Sequence, residues 1–429
     1  MMITTALGLL FGMLAIGLPI GAVMLLLAMG LDWFFSPMPL ILAVGELSWV
    51  SSSNYLLVSV PLFVLLGEIL LRAGIADRLY GAIVQWIGWM PGGLMHANIG
   101  ASAAFAATSG SSVATAATIS VVAKPMIKRY GYGERLFYGS VAAGGTLGIL
   151  IPPSINLILY GWLTSTSVPA LYMAGIVPGL VLALLFSLVI YVVCAIKPAL
   201  GGQKIETSWK ARVESLPSLL PPLFIFAIII GSIYMGIATP TESAALGVVS
   251  ALLLAAFYRQ LSPRMLLEAI DGTMRTTGMI MLIVMAAWFL NFVISAMGLV
   301  SAVNTGIVSL GLEPFALLAT IILIYLVLGC FMDPLPMMIV TVPVLTPLVV
   351  GAGFDPVWFG ILIVLLCEMA LITPPIGMNL FVVQGVRRRG SLTDIMIGVA
   401  PFMLAILAMI GLVIAFPQIV LWLPQLIRG

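Results

Sequence analysis

The sequence contains few charged residues, because Asp, Glu, Lys and Arg together make up only 7% of its 429 residues. A soluble domain carries about 25% charged residues, and a chain that is 62% hydrophobic could not cover a surface that faces water. The formal net charge is only +2, and no basic domain is present, which argues against nucleic acid as a partner. Lipid is therefore the predicted solvent of this chain.

Residues that bind metals or nucleotides are also scarce. The cysteines lie singly in apolar runs, with neither the spacing of a metal site nor that of a disulfide framework: Cys194, Cys330 and Cys367. His96 is the only histidine, and we expect it to be packed or interfacial. The phosphate-binding pattern GxxxxGK(S/T) does not occur, so the chain itself is not an ATP-driven pump. No organic cofactor is predicted.

Long apolar runs predict membrane-spanning helices, each of which needs about 20 residues. The N-terminal run lacks the features of a cleaved signal peptide, and its Gly17-Leu18-Pro19 break predicts two helices. Two further crossings are each interrupted by a Pro-Pro pair. Together, ten crossings are predicted: 2–16, 20–35, 55–73, 133–163, 169–196, 217–237, 240–258, 276–296, 356–387 and 392–416.

Two stretches do not fit as crossings. Residues 92–123 are rich in small residues, and residues 314–350 contain Asp333-Pro334 in the middle. Each half of about 17 residues is shorter than a span, so we interpret both stretches as re-entrant hairpins. Irregular backbone at that depth is tolerated where protein or a water-filled cavity surrounds it.

The basic residues support this count. If each crossing changes the side and each hairpin preserves it, every Lys and Arg except Arg428 falls on one side. The positive-inside rule makes that side cytoplasmic, so both termini are predicted to be periplasmic. The first hairpin then opens from the cytoplasm and the second from outside.

Landmarks recur at an offset of 221 to 223 residues, as in Pro19 and Pro240, Pro125 and Pro347, and the two Pro-Pro pairs. Residues 1–198 contain five predicted crossings, so the copy in 217–429 is predicted to be inverted, with 199–216 as a cytoplasmic linker. Inverted repeats with broken helices are typical of secondary transporters. The fold class predicted is an all-α polytopic membrane protein with an inverted repeat, two re-entrant helical hairpins and two broken helices. Segments 75–90 and 298–312 precede the hairpins, and the first is predicted to lie along the membrane interface.

Four motifs resemble a known family. They are Ser109-Gly110-Ser111-Ser112, the run 144–154 (GGTLGILIPPS), the run 236–245 (GIATPTESAA) and the run 372–377 (ITPPIG). Together they resemble the large membrane subunit of tripartite ATP-independent periplasmic (TRAP) transporters over nearly the whole chain. The resemblance implies an elevator fold related to divalent-anion/sodium symporters and sodium-driven import of an organic acid across a bacterial inner membrane. It also implies two partners, a small four-helix membrane subunit and a periplasmic substrate-binding protein.

A broken helix exposes carbonyl groups that coordinate Na⁺ and N–H groups that attract anions. A first substrate and ion site is predicted where the first hairpin tip meets the first break, with the hydroxyls of Ser112 and Thr146 in one ligand shell. Its residues are Ser109, Gly110, Ser111, Ser112, Gly145, Thr146, Gly148, Pro152, Pro153, Ser154 and Asn156.

The repeat places a second site at the second tip and the second break. Asp333 and Glu368 are ionisable residues at predicted membrane depth, which makes them functional candidates. The residues of this site are Met332, Asp333, Pro334, Glu368, Thr373, Pro374, Pro375 and Asn379. For Na⁺ itself, the predicted ligands are Ser112, Gly145, Asp333 and Thr373. The alternative is that the small residues only let helices approach closely.

Other functions remain open at this point. A stand-alone divalent-anion symporter would use the same elements without a binding protein. A membrane-embedded enzyme would need a base near Ser111 or Ser112, and His96 lies about 20 Å away along the hairpin, so we expect no enzyme. Glu68 with Arg72 at i+4 is either a structural ion pair or a site residue, and Glu242 is predicted to cap a helix.

Overall fold

The computed structural model describes residues 2–299 and 313–428, and all the regular secondary structure in this part of the chain is helical, without strands. Residues 300–312, and with them most of the predicted segment 298–312, lie outside the described residues. The helices are α1 (Met2–Ala15), α2 (Ile20–Phe35), α3 (Val44–Ser52), α4 (Ser59–Arg72), α5 (Ile75–Ile87), α6 (Gly93–Ser109), α7 (Ser112–Tyr130), α8 (Glu134–Thr146), α9 (Ile155–Thr164), α10 (Val168–Ile196), α11 (Trp209–Tyr234), α12 (Pro240–Phe257), α13 (Pro263–Ala296), α14 (Pro314–Gly329), α15 (Pro334–Gly351), α16 (Pro356–Ile372), α17 (Met378–Arg387), α18 (Leu392–Ala415) and α19 (Gln418–Arg428).

Seven helical stretches in the described residues are long and apolar enough to cross a membrane. Six of them coincide with predicted crossings, and the seventh is α15, which we interpret as a hairpin arm. The other four predicted crossings are the short helices α1 and α2 and the two broken helices, α8 with α9 and α16 with α17. The number of crossings stays a prediction, because length and composition do not show which helices cross.

Several helices extend beyond the predicted apolar runs. Helix α11 begins at Trp209, inside the predicted linker 199–216, and α13 begins at Pro263 instead of 276. Ser208 and Ser262 cap these helices by accepting the N–H groups of Ala211 and Met265 at 3.1 and 3.2 Å. Hydrophobicity marks only the apolar part of a helix, whereas capping groups stabilise its polar first turns.

Two helices were not predicted. Helix α3 follows a 3₁₀ turn over Leu40–Ala43, and the carboxylate of Asp32 fixes this turn by accepting the N–H groups of Leu40 and Ile41, both at 3.0 Å. Helix α19 packs against α10 near the C-terminus. Both are short, and neither has the apolar length by which a spanning helix is found.

The helices pack in two groups. Helices α1, α2, α4, α11, α12 and α13 form one group, which we call the frame helices, and α6–α10 with α14–α19 form the other, the site helices. The groups meet where α6 packs against α4 and α11, where α15 packs against α13, and where the rings of Trp162 and Trp288 lie 4.8 Å apart. Helix α5 joins them, since it packs against both α11 and α6.

Candidate functional site

The tip of the first hairpin is a turn of two residues between α6 and α7. Gly110 adopts a left-handed conformation with φ +61°, which glycine reaches without steric cost. Ser111 caps α7, its hydroxyl accepting the N–H of Ala114 at 3.4 Å. A Cβ atom on Gly110 would lie 2.8 Å from the carbonyl oxygen of Pro153, so the tip lies directly against the first break.

The first break separates α8 from α9 and is wholly buried. After Thr146 the chain makes a 3₁₀ turn over Leu147–Ile149 and resumes as a helix at Ile155. Ser154 caps α9 by accepting the N–H of Leu157 at 3.4 Å, and its hydroxyl donates to Ile149 O at 2.5 Å. The peptide bond between Pro152 and Pro153 is cis.

The first tip and the first break are in direct contact. The hydroxyl of Ser112 donates to the carbonyl oxygen of Thr146 at 3.1 Å. A Cβ atom on Gly148 would lie 2.7 Å from the carbonyl group of Ser111, and one on Gly145 would lie 2.6 Å from Cβ of Ala116. Small residues thus allow the backbone of the first hairpin to approach the backbone at the break between α8 and α9.

Thr146 contacts the first tip through its carbonyl group. Its hydroxyl donates to Ala143 O within α8 at 2.8 Å, and its carbonyl group is the part that faces Ser112. Between the first tip and the first break, the direct bond therefore joins the Ser112 hydroxyl to the Thr146 carbonyl group, and the shared ligand shell of the two hydroxyls stays a prediction. The direction of the Thr146 hydroxyl has a local reason, because a threonine hydroxyl within a helix readily bonds to a carbonyl one turn back.

The second tip lies against α16. A Cβ atom on Gly329, at the end of α14, would lie 2.7 Å from Cβ of Ala370. Met332 is buried and Asp333 is partly exposed at the tip, and Pro334 opens α15. Glu368 on α16 is 0% exposed, and both its carboxylate oxygens lack a hydrogen-bond partner among the described residues.

The second break is more open than the first. Thr373 and Pro374 are partly exposed and Pro375 is exposed, whereas the corresponding residues of the first break are buried. The hydroxyl of Thr373 donates to Met369 O at 2.6 Å. The peptide bond between Pro374 and Pro375 is also cis. We call each hairpin tip, together with the helix break that follows it in the chain, the first or the second constellation. The two constellations share an arrangement but differ in accessibility and in side chains.

Two asparagines make contacts between the two halves of the chain. Asn379 follows the second break, yet its Nδ2 donates to Ala142 O at 3.1 Å and lies 3.0 Å from where Gly145 would carry a Cβ atom. Asn156 follows the first break, and its Nδ2 lies 3.8 Å from Sδ of Met338 in the second hairpin. Asn379 thus also contacts the first break region, and Asn156 contacts an arm of the second hairpin. A sequence offset identifies equivalent positions, but it does not show how the two copies pack on each other.

A charged cluster at the far end of α17 was not predicted. The Arg387 side chain is 8% exposed, and its Nη2 lies 2.7 Å from Glu134 Oε2 and 3.5 Å from Asp394 Oδ2. Its guanidinium group lies over the ring of Tyr138, with Cζ 5.2 Å from the centroid. The cluster joins α17 to α8 and α18, and the sequence showed Arg387 only as one of the basic residues.

The remaining candidates have structural partners. Glu68 pairs with Arg72, and Glu242 closes a capping box with Thr239, which confirms the predicted cap. His96 is buried, with Nε2 3.1 Å from Pro91 O, so it is packed as expected.

Together, the helical architecture of the described residues and its seven long apolar helices indicate a multi-pass membrane protein. The fold is shared with a crystal structure of the YdaH transporter from Alcanivorax borkumensis, at a TM-score of 0.64 over 89% of each chain and 14% identity.

Residues 7–419 match the family described as the DctM component of the tripartite ATP-independent periplasmic transporter, and this chain belongs to that family. The large permease DctM of the C4-dicarboxylate TRAP transporter of Vibrio cholerae is 32% identical over 98% of this chain and 97% of its own. The large permease SiaM of the sialic acid TRAP transporter from the same species is 33% identical over 88% of each chain. The family resemblance inferred from the motifs is confirmed, and these relatives are permeases, not enzymes.

Proposed function

We propose that this protein is the membrane subunit that carries a carboxylate solute into the cell, driven by Na⁺, after a periplasmic substrate-binding protein delivers it. The observation that carries this proposal is the contact of the first tip with the first break. There the Ser112 hydroxyl donates to the carbonyl oxygen of Thr146, the last residue of α8 before the break. Oxygen atoms of this kind are the ligands that hard cations prefer.

The charge distribution supports coupling between a cation and an anion. Neither the tips nor the breaks contain Lys or Arg. An anionic solute at that depth would be held by N–H groups at half-helix starts, by hydroxyls and by bound Na⁺. Glu368 adds a buried carboxylate without a partner among the described residues, and such a group is costly unless a positive charge lies close.

The names of the relatives support the class of solute. Several relatives are named for the transport of C4-dicarboxylates, sialic acid or 2,3-diketo-L-gulonate, and these solutes share a carboxylate group. From membership of this TRAP transporter family we infer a small four-helix membrane subunit as a partner and the bacterial inner membrane as the location. The site helices would move past the frame helices as the elevator, with the hairpins re-entrant and the two halves inverted.

The test of Na⁺ binding at the first site is Ser112→Ala. We expect the Na⁺ concentration for half-maximal uptake in proteoliposomes to rise on the order of tenfold, which corresponds to a loss of about 1.4 kcal/mol, because one oxygen ligand is removed. Ser243→Ala is the matched control, since Ser243 is a buried serine whose hydroxyl pairs with Ser232 among the frame helices at 2.9 Å. An unchanged Na⁺ curve for Ser112→Ala would show that the serine only packs.

Topology gives a separate prediction. In a background without the native cysteines, we expect cysteines introduced at Gly351 and at the C-terminus to react with an impermeant reagent from the periplasm. One at Lys204 should react only from the cytoplasm. Gly351 and Lys204 are both exposed, so burial does not prevent labelling. Periplasmic labelling at Lys204 would refute the inverted arrangement, and the same cysteine labelled after permeabilisation is the control.

A further inference from the structure

Asn379 lies at the first turn of α17, just after the second break, but its side chain reaches the first constellation. The side chain is 0% exposed, and Nδ2 donates to Ala142 O at 3.1 Å. A carbonyl oxygen only accepts hydrogen bonds, so this contact fixes which end of the amide is the nitrogen. The same nitrogen lies beside Gly145, whose neighbour Thr146 provides the carbonyl group that faces Ser112.

The oxygen of this amide is left without a partner. Asn379 Oδ1 is buried and makes no hydrogen bond with any of the residues that the structure describes. An unsatisfied buried acceptor is destabilising, so its retention requires an explanation. A bound cation would satisfy it, because amide oxygens are common ligands of hard cations.

We propose that Asn379 Oδ1 is a ligand of the cation bound in the first constellation, together with oxygen atoms at the first tip and the first break. The first site would then be completed by a residue from the second half of the chain. This inference rests on the proposed function, since it assigns a further ligand to the Na⁺ site proposed there. It also means that binding at the first site fixes the start of α17, and with it one end of the second break.

The neighbouring contacts hold α17 in place for this role. Its first turn is fastened to α8 by the bond from Asn379 to Ala142, and its last turn by the ion pair between Arg387 and Glu134 at 2.7 Å. Helix α17 is therefore attached to α8 at both ends. A ligand carried on a rigid, doubly attached helix is positioned more precisely than one on a loop.

The test compares two variants that both lose the bond to Ala142. Asn379→Asp keeps an oxygen at the proposed ligand position, whereas Asn379→Leu has a similar size and no oxygen. We expect Asn379→Leu to raise the Na⁺ concentration for half-maximal uptake on the order of tenfold, and Asn379→Asp to stay within about threefold of the wild type. Equal shifts in the two variants would show that the bond to Ala142, not a cation contact, explains the residue, and would overturn the inference.

A second readout does not depend on transport. Purified protein is heated in NaCl or in KCl at equal ionic strength, because a ligand that binds the native state raises the unfolding temperature. The Na⁺-specific increase should be lost in Asn379→Leu and kept in Asn379→Asp. Asn98→Ala is the control, since Asn98 is equally buried but its Oδ1 already accepts the Tyr80 hydroxyl at 2.9 Å, so the variant should lower stability in both salts alike.

The outcomes separate the two proposals. A wild type without Na⁺ activation and without Na⁺-specific stabilisation would refute the proposed function and this inference together. A wild type that responds to Na⁺, with an Asn379→Leu variant that responds equally, would refute only the assignment of Asn379.

Discussion

Gly148→Val is expected to abolish transport without preventing insertion of the protein into the membrane. A Cβ atom on Gly148 would lie 2.7 Å from both the carbonyl carbon and the carbonyl oxygen of Ser111 and 2.8 Å from the amide nitrogen of Ser112. These are backbone atoms, so no flexible side chain can move aside, and the tip must separate from the break. Overpacking of this kind costs about 1–3 kcal/mol, and displacing the groups that bind a ligand by about 1 Å can reduce turnover on the order of a hundredfold.

The measurement is initial uptake in proteoliposomes, normalised to the amount of reconstituted protein. Gly385→Ala is the matched control, because Gly385 also lies in a site helix, α17, and a Cβ atom there would meet nothing within 4 Å. It should transport at the wild-type rate. Wild-type uptake by Gly148→Val would mean that the tip does not need to touch the break, and the proposed first site would then be wrong.

The positions of the helices could be predicted because membrane spans have a required apolar length and breaks have a distinctive composition. Each predicted span corresponds to a helix or to a pair of half-helices, and the two Pro-Pro pairs do separate α8 from α9 and α16 from α17. The ends were less predictable. Whether α11 begins at Trp209 depends on a capping hydroxyl and not on the apolar run that revealed the span.

The contact between the first tip and the first break could be predicted because glycine and serine are concentrated at both places. The details could not, since they depend on side-chain direction. The sequence does not show that Thr146 directs its hydroxyl to Ala143 and offers its carbonyl group to Ser112.

Contacts between the two halves of the chain were the hardest to predict. The repeat relates Asn156 to Asn379, but nothing in the offset shows that each side chain lies against the other copy. The same limit applies to the ion pair of Arg387 with Glu134, whose partners are far apart in the sequence. Pairs of this kind are visible only once the helices are packed.

Replacing Na⁺ with choline or K⁺ is expected to reduce uptake to the background, and depleting ATP at a fixed Na⁺ gradient is expected to leave uptake unchanged. The reason lies in the charges around the proposed sites. The tips and breaks contain no Lys or Arg, whereas Glu368 places a buried carboxylate on α16 with no hydrogen-bond partner among the described residues. A carboxylate solute entering there would add negative charge where none is compensated, and transferring unpaired charge into a low-dielectric region is prohibitively costly. A cation bound beside it removes that cost.

The experiment uses proteoliposomes that contain both membrane subunits and receive the loaded substrate-binding protein from outside, with the membrane potential clamped. Omitting the binding protein is the control that separates a tripartite system from a stand-alone symporter, and uptake should then be lost even in full Na⁺. Equal uptake in K⁺ and Na⁺ would refute sodium coupling. That result would point to a proton as the coupling ion, because an unpaired buried carboxylate can be neutralised by a proton as well as by a metal cation. An inward proton gradient without Na⁺ should then drive uptake, and the variant Glu368→Gln should abolish that uptake.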